Sequence, residues 1–238
     1  LKMVMAFQMA GNVTDNDNYR FKGQQLSSYG YNVAPNRPID YSDVMSYAPY
    51  YVGSHVFAVD GSYTGALTDL LAAADDYDSG VPASMESALD WLDNDLRAIS
   101  GTNQTLGYLN STYYPAWNTK AVTYDKDVAC YEDGLQIAAP STSRLTVLGI
   151  DTAYTAKINA LFAGYKHDAR CQRLVRDQFD QFMTHSRSLA AAWYVFCHGA
   201  ASQWSTHEGD LYSATYQSDD SIRLFNSNRR RSRATAIA

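Results

Sequence analysis

The chain alternates between two hydrophobic periods, and that alternation constrains its fold more than any other feature. Short apolar runs of strand type stand apart from one another: an opening run from Leu1 to Gln8, then Val44–Tyr47, then Asp127 to Glu132, then Ala190 to Phe196. Between them the pattern lengthens to helical steps. Met85, Ala88, Leu89, Leu92, Leu96 and Ile99 recur every three or four residues, which predicts a helix with Ser84 as N-cap and Gly101 as its stop. Further helices are expected from about Pro115 to Tyr124, from Ala153 to Tyr165 and from Ala169 to Thr184, the last capped by Asp168 and turning Leu174, Val175, Phe179, Phe182 and Met183 inward. Residues 53 to 80, rich in Gly, Ser, Asp and Tyr, read as a long loop with one short helical piece over Leu67 to Ala74. A short amphipathic piece near residues 19 to 29 and a final helix near 218 to 225 complete the pass.

Strand, helical excursion, strand, helices, strand is the rhythm of repeated βα units, so an α/β fold with a parallel sheet follows, its working edge at the C-terminal ends of the strands. A closed (β/α)8 barrel, the TIM fold, needs eight such units and about 250 residues. Four strands are expected here, which is half of a barrel in a chain of 238 residues. An isolated half would leave two open edges, so pairing with the missing half or self-association is expected.

Charge removes one class of partner. The formal net charge is −6, and Arg229, Arg230, Arg231 and Arg233 lie together near the end; without them the remainder stands at −10. A nucleic-acid surface requires a basic footprint on the folded part, so none is expected, and residues 227–238 are read as a disordered Arg-rich tail behind a domain over 1–226. No apolar run reaches the ~20 residues of a membrane span. Three cysteines, Cys130, Cys171 and Cys197, allow at most one bridge and lack zinc-site spacing. Of 25 acidic residues only Glu86, Glu132 and Glu208 are glutamates.

The motif richest in chemistry is Cys130-Tyr131-Glu132-Asp133-Gly134, which follows a helix carrying Tyr114-Pro115-Ala116-Trp117. With the run to Gln8, the segment Ser46-Tyr47-Ala48-Pro49-Tyr50-Tyr51 and the strand Ala192-Trp193-Tyr194-Val195-Phe196, it resembles strands five to eight of a retaining, clan A (β/α)8-barrel glycoside hydrolase whose seventh strand reads Tyr-Glu-Gly-Gly. The resemblance covers residues 1 to about 226. It implies that Glu132 is the nucleophile, that Tyr47, Tyr50 and Tyr51 surround the sugar and orient the carboxylate, and that Trp193 and Trp204 shape the saccharide site. From the residues alone, Glu132 fits equally an ordinary rim carboxylate capping the next helix or pairing with an arginine. Two departures stand out: Asp133 replaces the first glycine of the pattern, and the Asn-Glu dipeptide that supplies the family's general acid is absent from the chain. The acid is therefore expected upstream of Leu1. Glu86 is a poor substitute, being placed in the first turn of a helix where the dipole accounts for it; Glu208, after the last strand, is the better one.

No metal or organic cofactor is implied. His198, His207 and Cys197 have no metal spacing, no Gly-x-Ser-x-Gly elbow is present, and no phosphate-cradling loop occurs. Three Asn-x-Ser/Thr sequons, at Asn12, Asn103 and Asn110, are near the number chance gives. The function that the resemblance implies is hydrolysis of a β-linked oligo- or polysaccharide by double displacement, in a fragment expected to be inactive alone, outside the cell or in the periplasm with any signal upstream. The alternatives are a glycan-binding relative without chemistry, and an assembly protein whose tyrosine-rich loops make contacts.

Overall fold

The computed structural model describes residues 3–7, 13–51, 66–99, 105–135, 137 and 139–193. They fall into two units, one made of residues 3–51, 99–134 and 178–193, the other of 66–98 and 135–177.

The first unit holds a mixed parallel-sheet and helix arrangement. Its strands are β1 (Val4–Phe7), β2 (Val44–Tyr47), the two-residue β3 (Tyr50–Tyr51), β4 (Asp127–Leu135) and β5 (Ser188–Trp193). β1 pairs with β2, β2 with β4 and β4 with β5, every pair parallel, while β3 adds to β4. For the four parallel strands chain order and spatial order therefore agree and all four end at the same edge, while β3 departs from that order by pairing with β4 rather than β2. Asp43 helps set the β1–β2 register, its carboxylate accepting the Met3 amide at 2.7 Å. An α/β parallel sheet is thus present; β1 and β5 end it among the described residues, and closure into a barrel is not seen. β4 is longer than its sequence pattern suggests, running through Gly134 to Leu135, so Glu132 is not its last residue.

Helices and helical turns accompany this sheet. After β1 comes α1 (Val13–Asp15), which widens without a break into a π-helical turn, Asn16–Phe21. Gly23 and Gly30, both left-handed, bracket a 3-10 segment over Gln24–Tyr29. Farther on in this unit, α4 (Leu106–Tyr108) leads through a second π-turn, Leu109–Tyr113, into α5 (Tyr114–Tyr124), with Pro115 in its first turn where no hydrogen bond is lost. Trp117 is fully buried and stacks on Tyr47 of β2, centroids 4.6 Å apart and planes 13° from parallel; Phe21 meets the same indole edge-on at 5.8 Å. Phe182 lies edge-on to Tyr47 and Tyr114. This aromatic cluster is the first unit's core.

Asp17 locks the π-turn onto α5. It is 3% exposed, and it accepts from Lys120 at 2.7 Å, from Lys22 at 2.9 Å and from the Tyr124 hydroxyl. Burial opposes its ionisation, but the three donors outweigh that and hold the carboxyl below its ordinary range, whereas burial and then Asp17 itself push the Tyr124 phenol upward.

The second unit is helical. α2 (Ala66–Asp78) is a 13-residue helix where a loop with one short helical piece over Leu67 to Ala74 is expected, and α3 (Pro82–Arg97) follows it. α3 starts earlier than expected: Val81 is its N-cap, Pro82 opens it and Ser84 lies inside, while Ala98 ends it and leaves Ile99 79% exposed. Glu86 consequently lies beyond the first turn, and its carboxylate pairs with Arg170 at 2.6 Å. The remaining helices are α6 (Thr142–Val147), α7 (Tyr154–His167) and α8 (Ala169–Phe182). Asp168 caps α8 as expected, accepting from the Arg170 amide at 2.7 Å. Leu174, Val175 and Phe182 are buried, but Met183 follows the helix and is 43% exposed. No helix among the described residues is long and apolar enough to cross a membrane.

Candidate active site at the C-terminal edge of the sheet

Because the strands are parallel, their C-terminal ends bring distant sequence together. The register sets Phe7 beside Tyr47 and Tyr47 beside Cys130, with Cys130 opposite Ala191. One residue back, Ala6, Ser46, Ala129 and Ala190 align across all four strands. Register partners on neighbouring parallel strands share a face, and successive residues alternate. The Tyr47 row is the one covered by Trp117, so the row of three alanines and a serine occupies the opposite face.

That second face carries small side chains. Ala6 and Ala190 are exposed and Ala129 is half-buried, and each contributes one methyl group. Ser46 is fully buried, and its Oγ has no hydrogen-bond partner among the described residues. A buried hydroxyl without a partner carries a desolvation cost of ~1–3 kcal/mol. The sequence offered a sign of Ser46 only through its place next to Tyr47 in a strand: the alternation that buries one ring against a helix turns the neighbour the other way.

Of the residues singled out from the sequence, five reach this edge. Tyr47 ends β2, its ring fully buried between α5 and the sheet, with no part of it accessible to solvent. Tyr50 and Tyr51 form β3 and pair with β4, the strand that carries Glu132; Tyr51 is fully buried and Tyr50 half-buried. Glu132 lies in the stretch of β4 between Cys130 and Asp133 where the register against β5 shifts, and Asp133 is the register partner of Trp193. From Cys130–Ala191 to Asp133–Trp193 the register advances three residues on β4 against two on β5, the count of a β-bulge. Trp204, Glu208, the 218–225 helix, the end of the last strand expected to Phe196, and the tail over 227–238 lie outside the described residues.

Titratable chemistry elsewhere is engaged in structure. Arg170 holds Glu86, Asp90 and Asp168 within 3.0 Å, and Arg97 holds Asp93 and Asp177. Cys130 and Cys171 are buried thiols, and burial pushes the Cys171 thiol up to about 12. Among the described residues no three His, Cys, Asp or Glu side chains gather in a way that would hold a metal ion. Compared with known proteins, the chain matches no family model, no curated protein and no solved structure.

Proposed function

We propose that the chain is the C-terminal half of a (β/α)8-barrel hydrolase acting on a β-linked glycan with retention, with Glu132 as nucleophile. The observation that carries this reading is the sheet: four parallel strands adjacent in chain order, as barrel strands are, with the glutamate in the C-terminal half of the third. Support also comes from the small side chains of the row Ala6, Ser46, Ala129 and Ala190, on the face away from Trp117.

In this chemistry the Glu132 carboxylate attacks the anomeric carbon as a second carboxyl, ~5 Å away across the glycosidic bond, protonates the leaving oxygen. The glycosyl ester is then cleaved by water, with the second group acting as base. No Asn-Glu occurs in the chain, so the acid is supplied by residues outside it, or by Glu208.

The test is hydrolysis of aryl β-glycosides by the 238-residue chain and by a longer reading frame containing it, each with and without Glu132→Gln. Turnover by the longer form, lost by several orders of magnitude in Glu132→Gln, is the expected result. Turnover insensitive to that substitution removes Glu132 from the mechanism. A second reading, glycan binding without hydrolysis, is favoured by one departure: Asp133 sets another carboxyl beside Glu132 in sequence. It predicts polysaccharide affinity that survives Glu132→Ala in a form with no turnover.

A further inference from the structure

A separate cavity of about 440 Å³ opens in the first unit, lined by Asp15, Asn16, Tyr19, Arg20 and Gln25. Its volume is within the ~300–1,000 Å³ of small-molecule sites. Asn16 is 8% exposed, yet its amide makes no side-chain hydrogen bond among the described residues, and neither do the other four lining side chains. Asp15, next to the π-turn, makes no cap. The contrast with Asp17 is sharp, because that carboxylate, in the same turn, is saturated by Lys22, Lys120 and Tyr124.

These facts fit together as a preorganised wall. The Asp17 anchor ties the turn to α5, and the π-helical widening, a feature concentrated at functional sites, displaces the side chains of 16–21 from ordinary helical spacing. Polar groups saturated by protein partners on the anchored side and left to solvent on the cavity side are ones a ligand could engage by displacing water.

The chemistry of the lining selects the ligand. Asp15 and Arg20 offset each other, so the cavity favours neither a phosphate nor a polycation. A carboxylate, a guanidinium and two amides each present two polar atoms side by side, the arrangement that meets adjacent hydroxyls, which both donate and accept. Tyr19, 46% exposed, offers a ring face to C–H groups. A zwitterionic amino acid would use only Asp15 and Arg20. We propose that this cavity is a binding site for a neutral saccharide, distinct from the edge of the sheet and independent of any role of Glu132.

Saturation-transfer NMR and calorimetric titration of the 238-residue chain test it, with methyl β-D-glucoside, methyl β-D-galactoside, methyl α-D-mannoside and glycine as probes. At least one glycoside should bind with Kd on the order of 1 mM. Tyr19→Ala and Arg20→Ala, both at the surface, should each weaken it about tenfold with unchanged melting curves. Glu132→Gln should leave the affinity as it is, which separates this site from the proposed catalytic one. Silence from all three glycosides overturns the proposal, as does affinity indifferent to Tyr19→Ala and Arg20→Ala, loss of binding in Glu132→Gln, or glycine binding more tightly than the glycosides.

Discussion

Asp17 illustrates how much a single position can depend on residues far away in sequence. Its partners Lys120 and Tyr124 lie 103 and 107 positions on, and no periodicity links them, so nothing in the sequence marked it. The two lysines are 40% and 31% exposed and can rehydrate if the carboxylate is lost, so Asp17→Asn is expected to cost ~1–3 kcal/mol, below the cost of breaking a fully buried pair. The folded pKa is depressed, so the folded state releases this proton more readily than the unfolded one. The contribution is therefore complete above about pH 4 and disappears as pH falls through the folded value. Urea midpoints of both forms between about pH 2 and 7 should converge on the acid side. Parallel curves would show that Asp17 contributes no linked proton. Tyr47 makes a related point: a tyrosine at a strand end reads equally as rim or core until a stacked Trp117, 70 residues on, decides it.

Elements were more legible than residues. β2 has the bounds its apolar run predicts, and α5, α7 and α8 depart from theirs by a residue or two, because each element's own pattern determines it. Misreadings arose where a local signal had a rival. Ser84 was a fair cap, but Pro82, with its fixed φ, opens α3 two residues earlier. Gly134 reads as a stop, yet β4 runs through it to Leu135, beyond the last register pair with β5 at Asp133. The π-turns have no sequence period of their own. Gly23, which caps the 3-10 segment after the first of them, is at φ 63°, and an added Cβ would lie 2.5 Å from the Tyr31 carbonyl oxygen and 2.8 Å from Pro38. Gly30 is also left-handed but has open space. Gly30→Ala should thus cost only the backbone penalty, ~1–2 kcal/mol, and Gly23→Ala roughly 2–4 kcal/mol, since a carbonyl cannot swing aside. Thermal or urea unfolding of the two variants measures the difference, and equal costs would remove the steric argument.

At the scale of the molecule, the parallel sense and sequential order of β1, β2, β4 and β5 followed from the βα rhythm, whereas the two-residue β3 did not. The helical unit built from 66–98 and 135–177 did not, because it joins segments that a linear pass reads as separate excursions. The chain passes between the units after residues 51, 98, 134 and 177. Neither is one continuous stretch, so opening either one frees loops whose ends the other still fixes, and that favours their unfolding together. Two thiols report on this: Cys130 is buried in the first unit and Cys171 in the second. Cys171, its thiol pushed up to about 12 by burial, reacts only when its surroundings open. In a Cys197→Ser background, peptide-resolved alkylation at pH 8 should label Cys130 and Cys171 at rates within about threefold of each other, in water and in mild urea. If Cys171 labels tens of times faster while Cys130 stays protected, the helical unit opens by itself, and the interleaved chain does not bind the two into one cooperative structure.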